Sequence, residues 1–570
     1  MLRVTSVFAM LIPLVSASMT FGQSVTFDQR ASEGRALFVH QWQPNDPLSP
    51  LGDGLGPVYN ATSCVACHGQ SGVGGSGGKA NNVEILAVIP EPGEPTARNE
   101  RAFLNRLRET HPMFVDSLQR YYLGVVLHRH NTTPGYDAIY NDLTTPLEMS
   151  VDSRSRIRRM LKQRNLSFVS QLPLKLVGYK KDLQYAIAER NPPQLYGVDL
   201  IDKNIKDSDL LAIAESQKGS SSGVSGRFTG RYGWRGQMND LDMFIKGACA
   251  AELGLQVAEM NQAPNPMKLD YHIENPDLDS QQTSNLIAYV RSLPRPEMVM
   301  PDDPNERSYV SQGKLLFSQV GCAECHVENV GSLNGIYSDF LLHNMGSSFE
   351  DPIPAKQIPS YVVTAGISDV FIETGGEDRY KGDKAAAEKY NTEGRAEFEA
   401  NKARKIKIYD KYLAENGMPP YYGIDPRSTQ FSPQAPPNPY STKYDDHILA
   451  ASKTIRFNSI EEQNHYKEYR TPALWGVADS APYLHDGRAD TLRAAIEWHG
   501  GEAYASMMRF SQLSEEQQTS VLKFLKALKA PKTAENVPDQ IADDKKTEPA
   551  AGDKISALSP TTIHNDEVAR

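Results

Sequence analysis

Two pentapeptides with the same spacing decide the fold of this chain: Cys64-Val65-Ala66-Cys67-His68 and Cys322-Ala323-Glu324-Cys325-His326. Together they use four of the five cysteines in 570 residues. The spacing Cys-x-x-Cys-His is typical of c-type haem attachment, in which two thiolates add to the haem vinyl groups and the histidine binds the iron. We therefore expect two covalently bound haem c groups, one held by Cys64, Cys67 and His68 and the other by Cys322, Cys325 and His326.

Other uses of these cysteines explain less of the pattern. Four thiolates could bind zinc, but a zinc site gives no reason for a histidine after each pair. Disulfides are common in exported proteins, but a bridge across two residues closes a strained loop. The fifth cysteine, Cys249, is interpreted as a small buried hydrophobic side chain on a helix over residues 243–253 rather than as a reactive thiol.

The composition and the N-terminus indicate an exported, soluble protein. Hydrophobic residues make up 39% of the chain and the formal net charge is -10, with no basic cluster that would bind nucleic acid. Met1-Leu2-Arg3 and the apolar run 7–15 are typical of a secretory signal peptide, cleaved after Ala17 or nearer Gln23. No later stretch is long enough to span a membrane. The mature protein is therefore expected in the periplasm.

Composition also divides the chain into segments. A stretch rich in proline and acidic residues, 294–305, is the expected linker between two halves. The predicted segments are a signal peptide (1–23), an N-terminal haem domain (24–298) with an insertion of helical pieces at about 98–164, a C-terminal haem domain (299–531) with a charged insertion at about 377–416, and a disordered tail (532–570).

The two halves repeat the same sequence features in the same order, which indicates a tandem duplication. The matching segments are Ser32-Glu33-Gly34-Arg35-Ala36-Leu37-Phe38 with Ser311-Gln312-Gly313-Lys314-Leu315-Leu316-Phe317, residues 189–198 with 469–477, and Gly230-Arg231 with Gly487-Arg488. Each copy is mostly helical by its pattern. We therefore predict a mainly α protein of two tandem cytochrome c-like haem domains with helical insertions.

Several motifs carry a resemblance to a known family. They are Asn60-Ala61-Thr62-Ser63 before the first pentapeptide, Leu341-Leu342-His343-Asn344-Met345-Gly346, Arg470-Thr471-Pro472-Ala473-Leu474-Trp475-Gly476-Val477, Ala481-Pro482-Tyr483-Leu484-His485-Asp486-Gly487-Arg488 and His499-Gly500-Gly501-Glu502-Ala503. In this order they resemble the bacterial di-haem cytochrome c peroxidases and MauG. More closely, they resemble the di-haem oxidoreductase, putative peroxidase family, also called thiol oxidoreductase-like. The resemblance covers most of residues 30–530.

The resemblance assigns different surroundings to the two irons. In the relatives, the sixth ligand of the C-terminal haem lies fourteen residues after the histidine of the His-Asp-Gly motif, which is His499 here. The resemblance thus implies a six-coordinate haem between His326 and His499; alternatively, His499 is only a residue near a helix C-terminus. The matching position of the first half is Ala248, which cannot bind iron. The haem of His68 is therefore expected to keep an open face.

The resemblance also implies two catalytic residues. Ala251-Glu252-Leu253-Gly254 is similar to a Glu-Met-Gly motif of the relatives, whose glutamate lies over the peroxidatic haem, so Glu252 is the candidate acid and base. Trp234 matches a tryptophan between the two haems and is the candidate electron relay. The alternatives are an exposed helix glutamate and a core aromatic residue.

Two further features of the relatives have uncertain counterparts in this sequence. The loop histidine that blocks the first haem in some peroxidases is absent between residues 68 and 111, or is supplied by His111, His128 or His130 of the insertion. A calcium ion between the haems would be bound by the backbone carbonyls of Ser480 and Pro482 and by the side chain of Asn81 or Asn82.

The leading hypothesis is a periplasmic di-haem oxidoreductase of the peroxidase type. Hydrogen peroxide or oxygen would react at the His68 haem, with electrons from a small redox protein or a small-molecule donor. The alternatives are a di-haem oxygenase or MauG-like protein-modifying enzyme, and an electron-transfer cytochrome without enzymatic activity. Because the relatives are often dimers, the resemblance also implies a homodimer.

Overall fold

The computed structural model describes residues 26–89, 100–115, 121–145, 177–180, 182–218, 220–352, 385, 392 and 465–537. The predicted signal peptide and the tail beyond residue 537 lie outside the described residues. So does the charged insertion, apart from residues 385 and 392.

Helices make up most of the regular structure in the described part of the chain. They are α1 (Phe27–Val39), α2 (Cys64–Cys67), α3 (Glu100–Thr110), α4 (Val198–Asn204), α5 (Asp207–Lys218), α6 (Leu241–Glu252), α7 (Ser280–Ser292), α8 (Pro304–Gln319), α9 (Leu492–Glu497), α10 (Tyr504–Gln512) and α11 (Glu515–Ala527). Within the described ranges, no helix is long and apolar enough to cross a membrane.

The strands are shorter and form four antiparallel sheets among the described residues. They are β1 (Val58–Tyr59), β2 (Val83–Ile89), β3 (Gly124–Leu127), β4 (His130–Asn131), β5 (Val177–Lys180), β6 (Leu183–Arg190), β7 (Glu297–Met298), β8 (Leu342–Asn344), β9 (Glu468–Arg470) and β10 (Leu528–Lys529). Three of the sheets are two-stranded pairs: β1 with β4, β7 with β10, and β8 with β9.

The same helix pair occurs once in each half of the chain. Helix α1 packs on α7 in the first half, and α8 packs on α11 in the second. A Cβ atom on Gly34 would lie 1.8 Å from the carbonyl oxygen of Asn285, and one on Gly313 would lie 1.9 Å from that of Ser520. Only glycine allows these crossings. The two glycines occupy matching positions of the repeated sequence, as a duplication predicts.

Two matching loops of the halves contact each other. Gly197 and Gly476 both adopt a left-handed conformation, with φ of 69° and 74°, at the start of a short helix. Gly197 lies against the ring of Trp475, and the side chain of Gln194 donates a hydrogen bond to the Trp475 carbonyl oxygen. A side chain at either glycine would separate the loops, which bring the two halves together.

The structure corrects the alignment of one pair of repeated segments, Gly230-Arg231 with Gly487-Arg488. An isolated antiparallel bridge joins Tyr232 to Met238, three residues before α6, and a second joins Tyr483 to Ala489, three residues before α9. The turn of each hairpin needs a left-handed residue, which is Gly236 in the first copy and Gly487 in the second. Gly487 therefore matches Gly236 and not Gly230.

The corrected alignment of the two hairpins also pairs Trp234 with His485. Counted along the two hairpins, Trp234 occupies the position of His485. The tryptophan of the first copy therefore stands where the second copy has the histidine of its His-Asp-Gly motif.

The first half also contains a four-stranded antiparallel sheet of order β3-β2-β6-β5. Leu86 faces Val125 on one side and Ile187 on the other, and the sheet has its own core around Phe103 and Phe114. The prediction of helical pieces at 98–164 is therefore correct for α3 and for the helical residues 136–145, but wrong for β3 and β4. The longest strands, β2 and β6, lie outside that range, where alternating burial along β6 marks a strand.

Candidate functional site

The second pentapeptide folds into a single turn that presents its histidine to a cavity. The His326 backbone N–H bonds the Cys322 carbonyl oxygen at 2.9 Å, which places the thiols and the imidazole on one turn. The His326 Nδ1–H donates to the Tyr337 carbonyl oxygen at 3.1 Å, so Nε2 is the nitrogen left for a metal. The cavity is lined mainly by apolar side chains, among them Phe317, Leu474, Val477, Leu492 and Ile496.

His499 lies across this cavity from His326. The centroids of the two imidazole rings are 6.4 Å apart. Metal–imidazole bonds of about 2 Å would place the centroids of two trans imidazoles about 6 Å apart, so the spacing fits two axial ligands. The His499 Nδ1–H donates to the Ala495 carbonyl oxygen at 2.8 Å, which again leaves Nε2 for a metal.

Burial keeps both imidazoles in the neutral form that binds metals. Burial, and secondarily the neighbouring His499, lowers the pKa of His326 to about 4. Burial also lowers the pKa of His499 below its usual value. The residues present therefore fit a haem held by His326 and His499.

His343, another histidine that lines this cavity, already has a partner at each ring nitrogen. Its Nδ1 lies 2.8 Å from Glu502 Oε2 and its Nε2 lies 2.9 Å from Asp339 Oδ2. Although burial disfavours the charged ring, Asp339 and the other partners raise the pKa of His343 well above its usual range. An imidazolium with both N–H groups donated to carboxylates offers no lone pair to iron.

The first pentapeptide has the same local geometry as the second. It forms α2, capped by the Ser63 side chain, and the His68 backbone N–H bonds the Cys64 carbonyl oxygen at 2.9 Å. The His68 Nδ1–H donates to the Pro193 carbonyl oxygen at 3.0 Å. Burial, and then Cys249 and Cys67, raise the pKa of the Cys64 thiol well above its usual value.

The structure does not support the zinc and disulfide alternatives. No disulfide joins any of the five cysteines. Among the described residues, the ligand atoms of three or more potential metal-binding side chains converge at Cys325, Asp339 and His343, and not at the four pentapeptide thiols. Cys249, which is 2% exposed on α6, is buried as the sequence predicted.

The first copy differs from the second at the position that matches His499. Helices α6 and α9 begin at Leu241 and Leu492, so Ala248 takes the place of His499. Glu252 lies four residues after Ala248 and therefore on the same helix face, one turn further along. Asn60 Nδ2 donates to Glu252 Oε2 at 2.6 Å. Burial, opposed only partly by this hydrogen bond, raises the pKa of Glu252 to about 7.

The insertion histidines have separate roles. His128 Nε2 donates to the Ala251 carbonyl oxygen at 2.8 Å, and His111 Nε2 lies 3.5 Å from the Tyr136 hydroxyl. His130, on β4, stacks on the ring of Tyr59. Of these three contacts, the one made by His128 joins the insertion to the end of α6.

Sequence reasoning missed Asn60. It lies at the start of a motif used only for the family resemblance, but its side chain bonds Glu252 Oε2, and its backbone N–H donates to the Glu252 carbonyl oxygen at 2.7 Å. Its Oδ1 also accepts from the backbone N–H of Arg129 in the insertion. The feature of the sequence that could have indicated Asn60 is its position four residues before Cys64.

Trp234 lies between the two pentapeptides. Its ring lines the cavity of His326 and is 6.5 Å from the ring of His485. Its Nε1–H donates to the Asn191 carbonyl oxygen at 2.8 Å, two residues before Pro193, the partner of His68. A short covalent and hydrogen-bonded route thus joins the proximal side of His68 to the second cavity.

Of the two asparagines considered for calcium, Asn82 faces the segment that follows Pro482. Its side-chain N–H donates to the Asp486 carbonyl oxygen at 2.9 Å, and its Oδ1 accepts from Asn191. The calcium site itself stays a prediction.

Two histidine-bearing Cys-x-x-Cys turns and a pair of neutral imidazoles across an apolar cavity fit a haem-based redox protein. Residues 460–528 match the family described as "Di-haem oxidoreductase, putative peroxidase". This match confirms, over that segment, the resemblance drawn from the motifs.

The chain has little similarity to curated proteins or to solved structures. No curated protein matches the chain. Among solved structures, one entitled "Kuenenia stuttgartiensis Hydrazine Synthase Pressurized with 20 bar Xenon" is similar over 60% of this chain and 73% of its own, at 15% identity and a TM-score of 0.24.

Proposed function

We propose that this protein is a periplasmic di-haem c-type oxidoreductase of the peroxidase type, which reduces hydrogen peroxide on the open side of the His68 haem. The observation that carries the proposal is an asymmetry: His499 faces His326, whereas Ala248 takes the matching place in the other copy. A carrier that only transferred electrons would need no open position. The two copies would be cytochrome c-like domains with different tasks.

The protein side chains would hold two covalent haems. Cys64, Cys67 and His68 would attach one, and Cys322, Cys325, His326 and His499 would attach and ligate the other. Each haem would supply a redox-active iron, and the first would also supply an open coordination position. Two axial imidazoles stabilise ferric iron more than a His/Met pair does, which suits a low-potential electron store.

Glu252 would move the proton that peroxide cleavage requires. Reduction of H₂O₂ to two molecules of water consumes two electrons and two protons. As a carboxylate, Glu252 takes a proton from one peroxide oxygen, and as a carboxylic acid it returns the proton to the other oxygen, which leaves as water. A pKa of about 7 gives both forms near neutral pH. Asn60 fixes the carboxyl through Oε2 and leaves Oε1 for the substrate.

Trp234 would carry electrons between the halves. Its ring lines the cavity of His326, and its indole N–H is bonded to the segment that holds His68. The electron donor would be a small redox protein or a small molecule.

The protein would act as a homodimer. One calcium ion would bind near Asn82, Ser480 and Pro482, where the Asn82 side chain bonds the Asp486 carbonyl oxygen.

Spectroscopy and turnover of the purified protein with both haems would test the proposal. We expect the resting EPR spectrum to contain one high-spin and one low-spin ferric haem. We expect Glu252→Gln to lower peroxide turnover by about 100-fold or more at unchanged haem content, since general acid–base catalysis contributes 10²–10⁴-fold.

Glu259→Gln is the matched control, because Glu259 is an exposed acid that bonds Lys246. Two low-spin haems would indicate an electron carrier instead. Turnover with oxygen but not with peroxide would favour the oxygenase alternative.

A further inference from the structure

A buried hydrogen-bonded bridge contains three side chains to which the proposed function gives no role. The His343 side chain is 2% exposed and lies between two carboxylates. Nε2 is 2.9 Å from Asp339 Oδ2 and Nδ1 is 2.8 Å from Glu502 Oε2. Both ring nitrogens of this buried side chain therefore have a hydrogen-bond partner.

One end of the bridge is fixed to the second pentapeptide. The Asp339 backbone N–H donates to the Cys325 carbonyl oxygen at 2.9 Å, one residue before His326. The Asp339 carboxylate also accepts from Gln217 Nε2 at 2.9 Å. Asp339 is therefore positioned by the same turn that presents the proximal histidine.

The other end is fixed to the loop of the opposite histidine. Glu502 lies three residues after His499, and its carboxylate accepts backbone N–H groups of Asn344 at 3.0 Å and Ser225 at 2.9 Å. Gly500 and Gly501 separate the two residues, and a Cβ on Gly501 would lie 2.0 Å from the Asn344 carbonyl oxygen. Two glycines give the loop little stiffness of its own, and the Glu502 side chain bonds it to two neighbouring segments.

We propose that the Asp339–His343–Glu502 bridge is a positioning device that holds His499 opposite His326. The inference rests on the iron ligation of the proposed function. The bridge spans from the backbone of the proximal turn to the loop of the distal ligand and so sets the 6.4 Å separation of the two rings. Groups that orient a metal ligand through a second contact change metal binding by about 10- to 100-fold when they are removed.

Cyanide binding to the ferric protein with both haems tests this role, because cyanide competes with His499 for the second iron. We expect Glu502→Ala to raise the cyanide affinity of that haem by about tenfold or more. Part of its low-spin EPR signal should become high-spin, with haem content unchanged. Glu502→Gln should be intermediate, since its carbonyl oxygen can still accept from the backbone. Glu497→Ala is the matched control, because Glu497 is exposed two residues before His499.

His499→Ala provides the reference for full loss of the ligand. If it turns the second haem high-spin while both Glu502 variants keep the native spectrum and cyanide affinity, the bridge has no positioning role. If His499→Ala leaves the spectrum unchanged, the ligand assignment itself is wrong and the inference falls with it. Should Glu502→Ala fail to fold, Glu502→Gln decides: native cyanide affinity in that variant would overturn the proposal.

Discussion

Replacing Glu252 with glutamine should change how the stability of the protein depends on pH. Burial raises the pKa of Glu252 from 4.5 to about 7 in the folded chain. Because the folded pKa lies above the unfolded one, the unfolded chain loses the proton first. The stability of the native state therefore falls as the pH rises from about 4.5 to about 7. The pKa difference corresponds to about 3 kcal/mol of stability, which the wild type loses over this pH range. The glutamine variant does not lose it, because its side chain does not titrate.

Guanidinium unfolding at pH 4.5 and pH 8 measures the effect. The stability of Glu252→Gln relative to the wild type should increase by up to about 3 kcal/mol between the two pH values. The control Glu259→Gln should behave in the opposite sense and weakly, because the hydrogen bond from Lys246 lowers the pKa of an exposed carboxyl. An equal difference from the wild type at both pH values would show that Glu252 has no raised pKa. The assignment of Glu252 as a base near neutral pH would then be wrong.

Four further substitutions test other parts of the structure. Ala248→His should place a ligand opposite His68, remove the high-spin EPR signal and abolish peroxide turnover; a retained signal would argue against the alignment of α6 with α9. Trp234→Phe removes the N–H bonded to Asn191 and should slow electron transfer between the haems in stopped-flow experiments, with an unchanged rate pointing to another route. Gly34→Ala and Gly313→Ala should each lower stability by about 1–3 kcal/mol in thermal unfolding, and a neutral effect would contradict the close helix crossings.

Local motifs made much of the second site predictable. The position of His499 followed from a fixed count after His485, and the structure places it opposite His326. Likewise, the count from Leu241 gave Ala248, and both helices do begin where that count assumed. Positions of this kind can be predicted because a helix start and a Cys-x-x-Cys-His turn fix side-chain directions within a few residues.

Contacts between distant segments were not predictable. In the four-stranded sheet, β2 and β6 pair residues about 100 positions apart, and the polar region inserted between them suggested helices. The bond from Asn60 to Glu252 spans 192 residues and that from His343 to Glu502 spans 159. One sequence shows which side chains can pair, but the pairing itself depends on the tertiary fold.

The two copies differ in the length of the helix that contains Ala248 in the first copy and precedes His499 in the second. Helix α9 ends at Glu497, so His499 lies just past its end with Nδ1 bonded to the Ala495 carbonyl oxygen. Helix α6 continues to Glu252, four residues beyond the alanine that matches His499. At 1.5 Å per residue, those four residues move the next functional group about 6 Å along the helix axis. On the proposed function, a carboxyl displaced by one turn would remain on the same helix face but would not take the place of the histidine ligand. Extending the helix by one turn would then convert a ligand position into a substrate position, and one duplicated unit would supply both a closed haem and a reactive one.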